Sequence, residues 1–173
     1  MSWQGLEVVH VVAMDRQHAI GVNNQLPWHL SDDLKHFKAL TQNGVVVMGR
    51  KTYDSMGHAL PKRINWILTR DTSWQADEVK VANGLQALMD GAAADVKALQ
   101  QSSIFIIGGG ELFTLCMPFT DRLEITHVDL LVNGDAFYPA IPAGFKEYQR
   151  QPQQDAASGI RFGFASYQRQ SGV

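Results

Sequence analysis

The sequence predicts an α/β protein built on a mixed, mostly parallel central sheet. Short, continuous apolar runs alternate with segments of helical periodicity through most of the chain, which is typical of parallel strands buried on both faces. Several of these runs end at glycine or at a hydroxyl-bearing residue, as strands do where the chain turns into a helix. The final segments are strand-like and lack an intervening helix, which predicts a C-terminal antiparallel hairpin.

The individual elements follow from apolar runs and from helical periodicity. Apolar or β-branched runs predict strands over residues 8–14, 45–48, 64–69, 79–82, 104–107 and 123–128, with the hairpin formed by 146–151 and 161–168. Periodicity predicts helices over 31–42, 51–56, 85–101 and 112–116, and a long polar loop follows the first strand. We expect about eight strands and about four helices in a single domain over residues 1–173.

Composition narrows the class of function. The net charge is −2 and the pI about 6.3, which leaves no electrostatic footprint for nucleic acid or an anionic membrane. The single cysteine, Cys116, excludes an internal disulfide and lies in an apolar segment where an inert buried thiol is expected. The amino terminus lacks the pattern of a signal peptide, and no apolar stretch reaches membrane-spanning length. We expect a cytoplasmic protein without a bound metal.

Asp33 is the most informative residue of the first helix. Pro27 precedes this helix, and Ser31 offers a side-chain oxygen to its free amides. At about 100° per residue, Leu34, Phe37 and Leu40 form one apolar stripe. Asp33 falls on this stripe, whereas Asp32 falls on the opposite side together with Lys35, His36 and Ala39.

An unpaired carboxylate is costly to bury, so Asp33 needs a partner that the sequence does not visibly supply. A bound ligand could be that partner. The alternative is that Asp33 only complements the helix dipole, as many first-turn acids do.

Three strand ends carry groups that favour phosphate. The second strand runs into Gly49, Arg50, Lys51 and Thr52 at a helix start, where free amides, two cations and a hydroxyl meet. A solvated helix start is the alternative. A nucleotide-triphosphate loop is excluded, because lysine does not directly follow the second glycine and the intervening residues form a strand.

The third strand ends in Thr69 and Arg70, and the fifth ends in Gly108, Gly109 and Gly110. Such a glycine run indicates a tight turn or the close approach of a ligand to the backbone. The dinucleotide fingerprint does not fit, because Phe113 takes the place of its third glycine. Separated anion sites at successive strand ends suit one long ligand, and a dinucleotide phosphorylated on its ribose fits, with Arg50, Lys51 and Arg70 binding the extra phosphate.

Taken together, the motifs resemble dihydrofolate reductase of the bacterial chromosomal kind over nearly the whole chain. The matching residues are Ala13-Met14-Asp15, Ile20-Gly21, Leu26-Pro27-Trp28, Asp33-Leu34 with Phe37, Val47-Met48-Gly49-Arg50-Lys51-Thr52, Leu60-Pro61 with Arg63-Ile64-Asn65, Ile106-Ile107-Gly108-Gly109-Gly110 and Thr126-His127.

The resemblance implies NADPH-dependent reduction of 7,8-dihydrofolate to tetrahydrofolate, which supplies one-carbon metabolism. Hydride would be transferred to C6 of the pterin. Asp33 would bind the amino-pyrimidine edge of the pterin by paired hydrogen bonds and promote protonation of N5. Trp28 and Thr126 would hold the ordered water and hydrogen bonds around that carboxylate. Leu26 would be the contact residue of a mobile lid over residues 21–26.

The resemblance also implies two sets of binding residues, a monomer, and binding of antifolate inhibitors. The substrate would contact Val11, Val12, Leu34, Phe37, Met56, Leu60, Ile107 and Phe113, with Arg63 pairing with the carboxylate of the glutamate tail. The cofactor would contact Ala13, Ile20, Asn24, Gly49, Arg50, Lys51, Thr52, Thr69, Arg70, Gly108, Gly109, Gly110 and Leu112. The bond between Gly108 and Gly109 matches one that is cis in the family.

Four residues depart from common versions of the family. Phe113 stands where tyrosine is frequent, His58 and Ala59 replace pairs that often carry another cation, and Glu111 would repel a nearby pyrophosphate. Arg63 could instead be exposed and unpaired. The alternative function is a catalytically silent pterin- or nucleotide-binding module on the same scaffold.

Overall fold

The central sheet has the predicted mixed, mostly parallel architecture. A computed structural model of the protein describes residues 2–23 and 25–170. In chain order, the elements are β1 (Glu7–Met14), β2 (Ala19–Gly21), α1 (Ser31–Thr41), β3 (Val45–Gly49), α2 (Arg50–Met56), β4 (Ile64–Leu68), β5 (Val79–Ala82), α3 (Leu85–Ala98), β6 (Ser103–Gly108), α4 (Gly110–Cys116), β7 (Arg122–Val128), β8 (Ala136–Phe137), β9 (Phe145–Gln154) and β10 (Arg161–Arg169). A short 3-10 helix, Met117–Phe119, follows α4.

Eight strands form the sheet in the order β5-β4-β3-β6-β1-β7-β10-β9. The first six of these are parallel to their neighbours, and β10 pairs antiparallel with both β7 and β9. The predicted sheet, the four helices flanking it and the C-terminal hairpin are therefore confirmed. Because the parallel strands share a direction, their carboxyl ends lie along one edge of the sheet.

Helices cover both faces of the sheet, which explains the continuous apolar strands. In β3, Val45 and Val47 pack into the core on the side of α3 and α4. Val46 and Met48 face the opposite side, where residues of α1 and α2 cover them. All four side chains are fully buried. Full burial of one such side chain is worth about 1.5–3 kcal/mol.

Four helix bounds differ from the prediction: α1 ends at Thr41 and not at 42, α2 begins at Arg50 and not at 51, α3 ends at Ala98 and not at 101, and α4 begins at Gly110 and not at 112. The capping of α1 differs as well. Ser31 does not cap α1, because it is the first helical residue and the N-cap position is held by Leu30 without a side-chain hydrogen bond. Helix α3 ends three residues earlier than predicted. Gln100 adopts a left-handed φ of 57°, and the amides of Gln100 and Gln101 donate to the carbonyls of Lys97 and Val96. This is a Schellman ending, and its usual glycine signal is absent from the sequence.

A second, two-stranded sheet was not predicted. Strands β2 and β8 pair antiparallel within the segments expected to be loops. Both strands are too short to show a period-2 pattern in the sequence. Within the described residues, no helix has the length and apolar character needed to span a membrane.

Gly91 lets α3 pack directly against the ring of Trp66. A Cβ at this position would lie 3.0 Å from Trp66 Cζ3 and even closer to two other ring atoms. The ring is held in place because Trp66 Nε1 donates to Asp95 Oδ2 at 2.9 Å. Gly91 is therefore required by packing and not by backbone conformation.

We expect Gly91→Ala to destabilise the protein even though alanine favours helix. Overpacking destabilises a protein by about 1–3 kcal/mol, whereas the higher helix propensity of alanine stabilises it by about 1 kcal/mol. The free energy of unfolding measured in urea should therefore fall by about 1 kcal/mol. Gly144→Ala is the control, because nothing lies within 4 Å of its added Cβ. A stabilised Gly91→Ala variant would contradict the packing argument.

Candidate active site

A large cleft opens at the carboxyl ends of the parallel strands. Its volume is about 1450 Å³, and its walls come from β1, β3, β4, β6 and β7, the helices that follow them, and the segment around β8. Pockets for one small ligand usually measure about 300–1,000 Å³. The cleft therefore has room for two ligands side by side.

Most residues predicted for the site line this cleft. They are Val11, Val12, Ala13, Ile20, Leu26, Asp33, Leu34, Phe37, Gly49, Arg50, Lys51, Thr52, Met56, Leu60, Thr69, Arg70, Ile107, Gly108, Gly109, Gly110, Leu112, Phe113 and Thr126. Trp28 and Arg63 are not among the lining residues, and Asn24 lies outside the described residues.

Asp33 receives a partner from the protein itself. Thr126 Oγ1, on β7, donates to Asp33 Oδ1 at 2.6 Å. Asp33 is partly buried on the cleft side of α1, whereas Asp32 is exposed, as the helix-face assignment predicts. Leu34 differs from that assignment: it is 46% exposed at the cleft and does not sit in the core.

Burial raises the pKa of Asp33 above its ordinary value, and this effect outweighs the hydrogen bond from Thr126 and the nearby charge of His36, which lower it. The carboxyl group therefore keeps a proton to a higher pH than an exposed aspartate does.

His36 lies on the cleft side of α1, which corrects its predicted place on the exposed side. Its ring stacks on Phe164, with centroids 3.9 Å apart and planes at 17°. The pKa of His36 is lowered by burial, which outweighs the opposite influence of Asp33 and Glu124. Helical periodicity did not predict the burial of His36, because the ring that covers it, Phe164, belongs to β10 and is far away in the sequence.

Trp28 packs beneath the cleft in a cluster with Leu30, Val128 and Phe162. It is 8% exposed, and its Nε1 is buried without a hydrogen-bond partner among the described residues. A buried donor of this kind normally has a partner, which can be ordered water. Trp28 thus combines core anchoring with a polar atom that fits the predicted water network.

Arg63 is not free, which rules out the alternative of an unpaired side chain. Its Nε donates to the Pro61 carbonyl and its Nη1 to Thr41 Oγ1, each at 3.0 Å. The guanidinium also lies 5.9 Å from the centroid of the Phe37 ring. These contacts hold Arg63 beside Phe37, which lines the cleft, and the pairing of Arg63 with a substrate carboxylate stays a prediction.

The cations predicted to bind phosphate line the end of the cleft formed after β3 and β4, away from Asp33 and Thr126. Arg50 stands over the Trp74 ring, with Cζ 4.9 Å from the centroid, and its Nε is buried without a hydrogen-bond partner in the described chain. Helix α2 begins after Gly49 without a side-chain cap, so its first amides stay available alongside Arg50, Lys51 and Thr52. This donor set fits a phosphate group.

The glycine run after β6 serves more than one purpose. Gly108 has a φ of 138°, and its bond to Gly109 is cis. A Cβ at Gly110 would collide with the carbonyl oxygen of Phe137 in β8. The close approach at Gly110 is therefore to another part of the chain, whereas Gly108 and Gly109 line the cleft.

The segment predicted as a lid is tied to the β8 segment. The amide of Asp135 donates to the Gly21 carbonyl at 3.0 Å, and the amide of Asn23 donates to Asp135 Oδ2 at 2.9 Å. Leu26, at the end of this segment, is 54% exposed and lines the cleft. The described part of this segment thus stands beside the cleft, held by the β8 segment, and its movement as a lid stays a prediction.

Several cleft residues were missed by sequence reasoning. Asn83 and Gly84 follow β5 at the edge of the sheet where the other parallel strands end. Their position directly after a predicted strand is the signal that could have identified them, because ligands of parallel sheets bind beyond the carboxyl ends of the strands. Tyr138 had no such signal. Its ring meets that of Phe113 at 4.9 Å, and its hydroxyl lies 2.8 Å from His10 Nδ1, so it is already engaged with a buried histidine.

Within the described residues, no group of three or more His, Cys, Asp or Glu side chains could hold a metal ion. The arrangement instead joins an apolar slot that contains one carboxyl group of raised pKa to a cation-rich end. Chemically, it can hold a flat polar ring against Asp33 and an extended anion against Arg50.

Comparisons with known proteins identify the family. The sequence profile described as dihydrofolate reductase matches residues 7–169. The chain is 40% identical to dihydrofolate reductase type 3 of Salmonella typhimurium over 81% of this chain and 83% of that protein. It is 35% identical to dihydrofolate reductase of Neisseria meningitidis over 95% and 99% of the two chains.

A solved structure of dihydrofolate reductase from Enterococcus faecalis, complexed with NADP(H) and RAB-propyl, superimposes with a TM-score of 0.85 at 29% identity, covering 98% of this chain and 99% of that one. The chain therefore belongs to the dihydrofolate reductase family, whose members are NADPH-dependent oxidoreductases.

Proposed function

We propose that this protein reduces 7,8-dihydrofolate to 5,6,7,8-tetrahydrofolate with NADPH, by hydride transfer to C6 of the pterin and protonation at N5. The tetrahydrofolate would enter one-carbon metabolism. The observation that carries the proposal is Asp33, a carboxyl group of raised pKa that faces an apolar cleft and accepts a hydrogen bond from Thr126 at 2.6 Å.

Asp33 is suited to binding and protonating a pterin. A carboxyl group can hold the amino-pyrimidine edge by paired hydrogen bonds, and Thr126 orients it by occupying Oδ1. Hydride addition to a C=N bond is favoured when the nitrogen is protonated, and burial raises the pKa of Asp33, so that it keeps its proton to a higher pH than an exposed aspartate does. We assign Trp28 Nε1 to the ordered water that connects this carboxyl group to the pterin.

The apolar walls complete the substrate site. Leu34, Phe37, Met56, Leu60 and Ile107 would contact the pterin and its aminobenzoyl group, together with Val11, Val12 and Phe113. Leu26 would cover the reacting rings when the segment before it closes, which excludes water. Arg63 would meet the carboxylate of the glutamate tail from behind Phe37.

The other half of the cleft fits NADPH. Arg50, Lys51 and Arg70 would bind the ribose phosphate, with Thr52 and Thr69 as hydroxyl donors. Ala13, Ile20, Gly108, Gly109, Gly110 and Leu112 would hold the remainder of the molecule. NADPH, when bound, supplies the hydride, and the protein positions the rings and excludes water.

Mixing the purified protein with dihydrofolate and NADPH, and following the loss of nicotinamide absorbance, tests the proposal. Turnover is expected. Tight binding of both ligands without turnover would instead identify a catalytically silent binding module. An antifolate should compete with dihydrofolate and not with NADPH.

Asp33→Asn is expected to reduce turnover at neutral pH by at least about 100-fold, because it removes the proton donor. Binding of NADPH should change little. Asp32→Asn is the matched control: it is the same substitution one residue away on an exposed side chain, and it should leave kcat within about twofold. Equal activity of the Asp33 variant would remove Asp33 from the mechanism.

Thr126→Val should raise the pKa of Asp33 further, because it deletes a hydrogen bond that lowers that pKa. Turnover is expected to fall as pH rises through the pKa of Asp33, so the variant's decline in kcat/KM should begin at higher pH. Thr126→Ser keeps the hydroxyl and should restore the original profile. A profile that is unchanged, or shifted to lower pH, in Thr126→Val would contradict the assigned role.

Asp33→Asn should also stabilise the folded protein at pH 7. Because the pKa of Asp33 is raised on folding, its stabilising contribution is present below the unfolded value of 3.8 and is lost as pH rises through the folded pKa. Asparagine removes the cost of ionisation, so Tm should rise by a few degrees at pH 7. The gain should shrink as pH approaches 4, and an equal gain at both pH values would argue against ionisation as its cause.

A further inference from the structure

We propose that Glu111 and Asp71 are specificity-determining residues that weaken the preference of this cleft for a dinucleotide carrying a phosphate on its ribose. They do so by offsetting the charge of the arginines that would bind that phosphate. This inference rests on the proposed function, because it concerns the same cofactor site.

Asp71 neutralises Arg50 without taking up its hydrogen bonds. Arg50 Nη1 lies 3.6 Å from Asp71 Oδ2, within ion-pair range but too long for a strong hydrogen bond. Asp71 is fixed in this position because its Oδ1 accepts from the amide and hydroxyl of Ser73, at 3.0 and 2.7 Å. The hydrogen bonds from Ser73 hold the pKa of Asp71 below its ordinary value, so its charge persists at neutral pH.

Glu111 acts on Arg70 across the cleft. Arg70 follows β4 and Glu111 lies in the first turn of α4, on the far side of β3 in the sheet order. Arg70 Nη2 nevertheless lies 3.7 Å from Glu111 Oε1, and both residues line the cleft. The two side chains are 96% and 80% exposed, so salt in solution screens this pair.

The local charges therefore cancel. Arg50, Lys51 and Arg70 carry three positive charges, and their nearby acids Asp71, Glu111 and Asp54 carry three negative ones. Asp54 lies 3.5 Å from Arg50 as an i,i+4 pair within α2. A ribose phosphate carries between about −1.5 and −2 charges at pH 7, so it is repelled by each carboxylate that remains near its binding cations.

Two roles of these acids predict opposite changes in the binding of the phosphorylated dinucleotide. If Asp71 and Glu111 mainly hold the arginines in a binding geometry, their loss would weaken the binding of the phosphorylated dinucleotide. If they mainly offset charge, their loss would strengthen it. The long ion-pair distances and the exposure of the Glu111 pair favour charge offset, because such pairs orient a guanidinium poorly.

The test compares the Kd values of NADPH and NADH, measured by titration calorimetry, for the wild type, Glu111→Gln and Asp71→Asn. Each variant should bind NADPH about threefold to tenfold more tightly, as one exposed charge pair predicts. Binding of NADH, which lacks the ribose phosphate, should stay within about twofold for Asp71→Asn. For Glu111→Gln it should tighten as well, because Glu111 also repels the pyrophosphate that both dinucleotides carry, but by less than the binding of NADPH does. The gain should shrink at 0.5 M salt, where charge interactions are screened over a few ångströms.

Asp77→Asn is the control for net charge, because Asp77 is exposed near the amino end of β5, away from the cleft. Its NADPH-to-NADH ratio should not move. An unchanged ratio in Glu111→Gln or Asp71→Asn, equal tightening of both ligands, or weaker binding of NADPH would overturn the inference for that residue. Failure of the wild type to bind either dinucleotide would instead contradict the proposed function.

Discussion

The shared direction of six neighbouring strands is the constraint on which the rest of the molecule depends. β1 lies between β6 and β7, parallel to both, and β3 and β4 extend the same arrangement on the other side. Every strand in this group must therefore leave the sheet at the same edge. Residues that are distant in sequence, such as Arg50 and Thr126, reach one cleft because of this single geometric fact.

Helix α1 places two adjacent aspartates in different environments at this cleft. Asp33 and Asp32 differ only by a rotation of about 100° around α1, yet one faces a low-dielectric slot and the other faces water. Thr126 supplies enough polarity for Asp33 to be tolerated there, but not enough to return its pKa to the ordinary value. The site thus retains part of the cost of burying a carboxyl group, and that cost is what raises the pKa of Asp33, as the proposed role of an acid requires.

Local sequence patterns predicted the fold closely, because the strands of the main sheet are continuous apolar runs and its helices have regular periodicity. Apolar runs and glycine stops located eight strands and four helices, and helix periodicity separated Asp33 from Asp32. Features that depend on contacts between distant segments were less accessible. The hydrogen bond from Thr126 to Asp33 was expected only from the family resemblance. The stacking of Phe164 on His36 and the contact between Tyr138 and His10 were not predicted, because each joins residues far apart in the chain. The Schellman ending of α3 was missed for a local reason, since glutamine occupies a position that glycine usually marks.

The Gly110 contact has a mechanical consequence for the cleft. Because a side chain at this position would collide with the Phe137 carbonyl, the floor after β6 and the β8 segment are in direct backbone contact. Asp135, next to β8, is in turn hydrogen-bonded to Gly21 and Asn23, at the start of the segment predicted as a lid. Main-chain contacts therefore connect the glycine run, through the β8 segment, to Gly21 and Asn23 beside the cleft. A larger residue at Gly110 would therefore displace not only the backbone after β6 but also the β8 segment and the loop that this segment holds beside the cleft.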